Sequence, residues 1–156
     1  MKALLPLLIV AMAGLSPQAG TRPAETQPAA LHFGYVDLFI DSGQQPLAAW
    51  ELEFRTTAGQ VKFVGVEGGD YAGFQSPPYY DPAALHDATV QQQQRIIVGA
   101  FSTASDLPAG KTRVARLHLC IEGDVRPAYA VKLIAAGAKD GSRITATPTF
   151  TEGTAP

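Results

Sequence analysis

The chain has 156 residues, 46% of them hydrophobic, and a formal net charge of -2. Its basic residues form no cluster, which argues against nucleic acid or an anionic membrane as the partner, because both require a concentrated basic patch. The single cysteine, Cys120, cannot form an internal disulfide or a thiolate metal site. We therefore expect apolar burial to stabilise the fold, and we expect no metal and no other cofactor.

The first residues have the pattern of an export signal. Lys2 precedes a short apolar run at residues 4–10, and the small residues Ala11-Met12-Ala13 follow. A charged start, a brief apolar stretch and an A-x-A-like site are typical of a secretory signal peptide. We predict a signal peptide over residues 1–19, with cleavage after Ala13 or near the end of that range. The protein would then be exported, to the periplasm, the cell surface or the medium.

The rest of the chain has room for one domain. Residues 20–30 contain Pro23 and Pro28 among polar and small residues, and they predict a flexible leader. The domain is predicted over 31–151, followed by a tail at 152–156. No stretch in it approaches the roughly 20 apolar residues of a membrane span, so we predict no span in the mature chain.

Short strand patterns recur along the domain, separated by Gly, Pro, Asp and Ser turns and by little helix. This spacing predicts an all-β fold, an antiparallel sandwich or barrel, rather than an alternating α/β sheet. The predicted strands are 34–41, 47–55, 61–67, 95–102, 112–121, 129–136 and 143–150.

The strand at 47–55 shows the clearest alternation. Side chains on a strand point to opposite faces in turn, so one face of this strand is apolar and the other is charged. The apolar face has Trp50, Leu52 and Phe54, and the charged face has Glu51, Glu53 and Arg55.

An aromatic and proline-rich segment, DYAGFQSPPYYDP, separates the strands at 61–67 and 95–102. It is too aromatic for a flexible linker and too irregular for a strand. We interpret it either as an ordered cover of the core or as a recognition surface, since Tyr combines apolar area with a polar tip. The candidate binding residues are Tyr71, Phe74, Tyr79, Tyr80 and Asp81.

One short helix is predicted after this segment. Asp81 would cap it, Pro82 would occupy its first position, and residues 83–85 would follow. The glutamine run at 91–94 is interpreted as a solvated connector.

Catalytic patterns are sparse. His118 and Cys120 share one face of a strand, and Glu67 and Asp70 form a possible acidic pair, but no established nucleophile, phosphate or metal motif is present. A catalytic cysteine needs a neighbouring base and a lowered pKa. We therefore predict that the protein is not an enzyme. A small exported enzyme is the second alternative, and it would need His118, Cys120 or the acidic pair to converge in a cleft.

A family resemblance covers most of the domain. The succession YVDLFIDSGQQPLAAWELEF, VKFVGVEGG, RIIVGAFS and LPAGKTRVARLHLCIEG resembles a cohesin module and its relatives in the carbohydrate-binding-domain superfamily. The resemblance implies a noncatalytic binding module of nine-strand jelly-roll type, since cohesins bind dockerins, which are small helical domains. Together with the strand patterns it predicts a jelly-roll sandwich of seven to nine strands. The insertion DYAGFQSPPYYDPAALHDATVQQQQ departs from the compact family pattern.

Two binding hypotheses follow. The first is a protein-binding module with a dockerin-like or other envelope partner, using a sheet face that has Thr145, Thr147 and Thr149 or Arg116 and His118. The alternative is a carbohydrate-binding module, which requires flat exposed rings at Tyr71, Tyr79 and Tyr80 on one surface. Trp50 is a further candidate ring, but its alternation with Leu52 and Phe54 predicts that it is buried. We predict protein binding.

Overall fold

The structure, a computed structural model, describes residues 30–154. The predicted signal peptide and all but the last residue of the predicted leader lie outside the described residues. Between 30 and 154 the chain forms two four-stranded antiparallel sheets, which confirms the predicted all-β sandwich. Among the helices described within residues 30–154, none has the length and apolar character needed to cross a bilayer.

Each sheet draws its strands from distant parts of the chain. In the first sheet the strand order is β3-β6-β1-β8, and in the second it is β4-β5-β2-β7. The strands are β1 (Leu31–Asp41), β2 (Ala49–Ala58), β3 (Gln60–Gly68), β4 (Tyr79–Tyr80), β5 (Arg95–Phe101), β6 (Lys111–Glu122), β7 (Ala128–Gly137) and β8 (Thr147–Thr154).

The inward side chains of both sheets form one apolar core. Phe54 on β2 is fully buried and contacts three aromatic rings, Phe63 on β3, Tyr129 on β7 and Phe150 on β8. Most of these ring pairs meet edge to face, an arrangement that adds about 0.5–1.5 kcal/mol per pair beyond area burial. The predicted apolar face of β2 is confirmed, since Trp50 and Leu52 are buried beside Phe54.

The last strand lies further along the chain than predicted. Arg143 forms an isolated bridge with Gly137, and the Ile144 N–H donates to the carbonyl of Ala136, so these residues continue the turn after β7. Strand β8 begins at Thr147 and pairs with β1 as far as Thr154. The sheet therefore extends three residues past the predicted domain end at 151.

The insertion between β3 and β5 is ordered and has more helix than predicted. A 3-10 helix (Ala72–Phe74), β4 and helix α1 (Ala83–His86) follow one another, and the Asp81 carboxylate accepts the Ala83 N–H. The single predicted helix is thus present, starting one residue late. A second helix, α2 (Ala88–Gln91), was missed; the Asp87 carboxylate caps it by accepting the N–H groups of Thr89 and Val90.

The interpretation of the glutamine run as a solvated connector is wrong at two positions. The Gln91 side chain donates to the carbonyl of Leu85, and the Gln94 side chain binds the backbone of Val61 on β3. Only Gln92 and Gln93 have exposed side chains. Side-chain amides suit this role because each offers both a donor and an acceptor.

Candidate binding surface

A groove of about 670 Å³ lies along β5, where β4 pairs with it and where α1 and α2 follow. We call it the β4–β5 groove. Strand alternation places the outward residues of β2, β4 and β5 along it, because Tyr79 lies opposite Gly99 and Gly99 lies opposite Glu51. The lining residues on which its chemistry depends are Glu51, Tyr79, Asp81, Ile97, Gly99 and Phe101.

Two aromatic rings stand at one end of the groove with little cover from the rest of the protein. Tyr79 is 74% exposed and Phe101 is 63% exposed. Their centroids lie 6.3 Å apart and their planes differ by 6°, so the rings are parallel. Ile97, 36% exposed, lies on the same face of β5 and extends the apolar surface.

Gly99 leaves a gap in the middle of this face. Its position is flanked across the strands by Tyr79 and Glu51 and along β5 by Ile97 and Phe101. A Cβ atom here would lie 3.0 Å from the Trp50 carbonyl oxygen, a tight contact with backbone. Because glycine has no side chain, this position is a depression between the neighbouring side chains, which we call the Gly99 depression.

The carboxylates along β2 differ in their partners. Glu53 binds both Arg55 and Arg95, and the hydrogen bond from Arg55, together with the charges of both arginines, holds the pKa of Glu53 below its ordinary value. Glu51, two residues earlier on the same face, has no hydrogen bond or ion pair from any side chain among residues 30–154. The groove therefore has a carboxylate that forms no ion pair within residues 30–154: Arg95 also lines the groove but binds Glu53, and Arg143 lines the adjoining cavity without pairing with Glu51.

The predicted binding residues divide into two groups. Phe74 is buried and Tyr71 packs against it, so these two cover the core, and Phe74 also meets Trp50 edge to face. Tyr79, Tyr80 and Asp81 line the groove, although Tyr80 is partly buried and packs against the core. The start of the aromatic segment thus covers the core, and its end lines the β4–β5 groove.

Phe101 is a candidate that sequence reasoning missed. It lies 22 positions after Tyr79, and only the pairing of β4 with β5 brings the rings together. The alternation of β5 contained a usable signal, since the buried Ile96 and Val98 place Phe101 on the outward face. The register that puts Tyr79 beside it cannot be obtained from that pattern.

Trp50 is 3% exposed and packs in the core, so it offers no flat surface to a ligand. Its indole Nε1 is buried without a hydrogen-bond partner among the described residues. The set of exposed rings that the carbohydrate hypothesis requires is not formed, because Tyr71 and Tyr80 are partly buried; the further candidate Trp50 is buried, as its alternation predicts.

The outer face of the first sheet has paired charges. Arg116 forms two hydrogen bonds with Asp37, at 2.8 and 2.9 Å, and lies 3.9 Å from the ring centroid of Tyr35. Arg113 joins Asp37 to Asp70. Partial burial opposes ionisation of Asp37, but Arg116 and Arg113 outweigh it and lower the pKa of that carboxyl.

The residues proposed for a protein-binding face lie on this first sheet. Arg116 and His118 share its outer face with Thr147 and Thr149, because β8 and β6 both pair with β1. Thr145 precedes β8 and is not part of the ladder; Thr151 continues it, opposite Asp37.

The side chains considered for catalysis bind different partners. His118 Nε2 lies 2.8 Å from the Glu67 carboxylate, whereas Asp70 binds Arg113. Cys120 is buried on β6, paired with Phe33 and Lys62 on the neighbouring strands. Within residues 30–154 no three His, Cys, Asp or Glu side chains are grouped so that they could hold a metal ion.

Comparison with known protein families, with characterised proteins and with solved structures finds no match for this chain.

Proposed function

We propose that the chain is an exported, noncatalytic binding module of cohesin-like, jelly-roll type that binds a protein partner through the β4–β5 groove. The partner would be dockerin-like or another envelope protein. The sequence resemblance supports this proposal over residues 34–150, and the two antiparallel sheets are the framework that the resemblance implies.

The observation that carries the proposal is the exposed apolar cluster of Tyr79, Ile97 and Phe101. These side chains lie together on the outer face of the second sheet, and Tyr79 belongs to the insertion that departs from the compact family pattern. Aromatic residues are enriched where proteins bind proteins, and contiguous exposed apolar surface marks interaction sites.

The noncatalytic part of the proposal rests on how the reactive side chains are used. His118 on β6 is hydrogen-bonded to Glu67 on β3, and Asp70, just after β3, forms an ion pair with Arg113 on β6. A general base or nucleophile must reach its substrate and its partner group at the same time. These contacts instead link β3 and the residues just after it to β6.

Carbohydrate is the second candidate ligand, and one observation favours it. The parallel rings of Tyr79 and Phe101 offer flat apolar surface, and Glu51 and Asp81 could accept hydrogen bonds from hydroxyl groups. Against this, Tyr79 is the only ring of the predicted set that is largely exposed.

The test is affinity capture from the secretome of the source organism, with and without calcium. The bait is the wild-type chain or the double variant Tyr79→Ser/Phe101→Ser. A protein captured by the wild type is identified, purified and measured again for direct binding. Phe33→Ser is the matched control, because Phe33 is 58% exposed on the other sheet.

We expect a defined protein partner to bind the wild type and the Phe33→Ser variant and to lose binding to the double variant. Equal binding to all three chains would overturn the proposed surface. Retention on insoluble polysaccharide, lost in the double variant and accompanied by no protein partner, would establish the carbohydrate alternative instead.

A further inference from the structure

We infer that the Gly99 depression receives a lysine or arginine side chain of the partner. This inference rests on the proposed function, because it assigns the chemistry of the group that would enter the same groove. It adds to the proposed function the position in the groove where the partner's side chain binds and the positive charge of that side chain.

The shape of the depression suits a single long side chain. Its floor is the backbone at Gly99, and four side chains surround it: Tyr79, Glu51, Ile97 and Phe101. Three of these walls are apolar or aromatic and would pack along a methylene stem. The fourth wall, Glu51, ends in a carboxylate, and a lysine or arginine has its charged group at the end of an apolar stem.

The charge of the depression selects a cation. Glu51 has no cationic partner among the described residues, whereas Glu53 on the same face is bound by two arginines. Asp81, at the β4 end of the groove, binds only the Ala83 N–H among the described groups. A bound partner would desolvate Glu51, and leaving a carboxylate buried without a counter-charge is costly. A lysine or arginine removes that cost.

The aromatic walls favour the same ligand. An ammonium or guanidinium group within about 6 Å of an aromatic centroid is attracted by the negative face of the ring. This chain already forms such a contact on its other sheet, where the Arg116 guanidinium lies 3.9 Å from the centroid of Tyr35 beside the carboxylate of Asp37. The Gly99 depression is likewise lined by a carboxylate and aromatic rings, those of Glu51, Tyr79 and Phe101.

The inference is tested with small probes of defined charge. Nα-acetyl-arginine amide and Nα-acetyl-lysine amide are titrated into the ¹⁵N-labelled full chain, with the neutral analogues Nα-acetyl-citrulline amide and Nα-acetyl-norleucine amide beside them. Backbone chemical shifts of residues 97–101 and of Tyr79 report on binding. The variant is Glu51→Gln, which is isosteric and outward-facing. Its matched control is Glu67→Gln, on the first sheet.

We expect both cationic probes to shift the groove amides in a saturable way and the neutral analogues to bind more weakly. Glu51→Gln should weaken the cationic probes by about fivefold, because a charge-assisted hydrogen bond becomes a neutral one. Glu67→Gln should leave binding unchanged. Raising the salt concentration should weaken the cationic probes alone.

Equal binding of arginine and citrulline probes, or no effect of Glu51→Gln in a chain whose spectrum stays folded, would overturn the inference. A neutral cello-oligosaccharide that moved the same amides more strongly than the cationic probes would also overturn it. If capture of the partner depends on Tyr79 and Phe101 but not on Glu51, the inference fails and the proposed function stands. If capture ignores Tyr79 and Phe101, the proposed function fails, and the probe titration still reports on the depression.

Discussion

The side-chain amide of Gln94 is hydrogen-bonded to both backbone groups of Val61, accepting its N–H at 3.0 Å and donating to its carbonyl at 2.7 Å. Val61 lies on β3, at the edge of the first sheet. Gln94 thus supplies the two hydrogen bonds that a neighbouring strand would supply, at a point where an open edge could pair with another chain. Its own backbone has a φ of 52°, a conformation uncommon for a residue with a side chain.

Gln94→Ala should destabilise the fold by about 1–3 kcal/mol, because it leaves both backbone groups of Val61 without this partner. Urea unfolding measures the loss, and hydrogen exchange should accelerate at the Val61 amide more than at other amides of β3. Gln92→Ala is the control, since the Gln92 side chain is exposed. Equal effects of the two substitutions would show that the Gln94 amide does not support the edge.

Gly69→Ala should destabilise the fold by about 2–3 kcal/mol, because the added Cβ atom would collide with the backbone of a neighbouring strand. A Cβ at Gly69 would overlap the carbonyl of Arg113, which also accepts the Asp70 N–H. At Gly65 a Cβ would meet only His118, at 3.4 Å. Gly65→Ala should therefore cost much less, and thermal melting of the two variants makes the comparison. Similar melting temperatures would contradict this account of the close approach.

Asp37 should make the fold sensitive to acid. Its pKa is lowered in the folded chain, so its contribution is present above the unfolded pKa, about 4, and is lost as the pH falls through the folded value. Asp37→Asn should cost about 1–2 kcal/mol near neutral pH, because Arg113 and Arg116 lose their shared carboxylate. The variant should also lose less stability than the wild type between about pH 6 and about pH 3.

Urea unfolding at several pH values tests this prediction. Asp124→Asn is the matched control, because Asp124 is exposed in the turn after β6 and no hydrogen bond or ion pair reaches its side chain from residues 30–154. A wild-type pH dependence that Asp37→Asn leaves unchanged would show that other carboxyl groups govern acid unfolding.

The strands could be predicted from local sequence, because the alternation of apolar and polar side chains and the turn residues between strands are patterns that extend over only a few positions. Strands β2 and β5 lie within two or three residues of the prediction at either end. The last strand was misplaced because Ile144 continues the alternation of β8 in sequence but packs at the end of the turn after β7. The sequence pattern is the same for both arrangements, and pairing with β1 decides between them.

The candidate site was only partly predictable for a related reason. Tyr79, Tyr80 and Asp81 were identified by composition, as members of one aromatic segment. Phe101 and Glu51 join them through strand register between distant parts of the chain. Register depends on which faces are buried and on the turns between strands, and the 26 residues from 69 to 94 separate β3 from β5.

Phe54→Ala and Phe101→Ala should differ sharply, because one ring is used for folding and the other is not. Phe54 is fully buried among three rings, so its truncation should cost about 3–5 kcal/mol. Phe101 is 63% exposed and its ring stacks with that of the exposed Tyr79, so we expect its truncation to cost at most about 1 kcal/mol. Chemical unfolding of both variants provides the measurement. A large loss of stability in Phe101→Ala would mean that the exposed pair of Tyr79 and Phe101 supports the fold. The main evidence that the β4–β5 groove is a binding surface would then be lost.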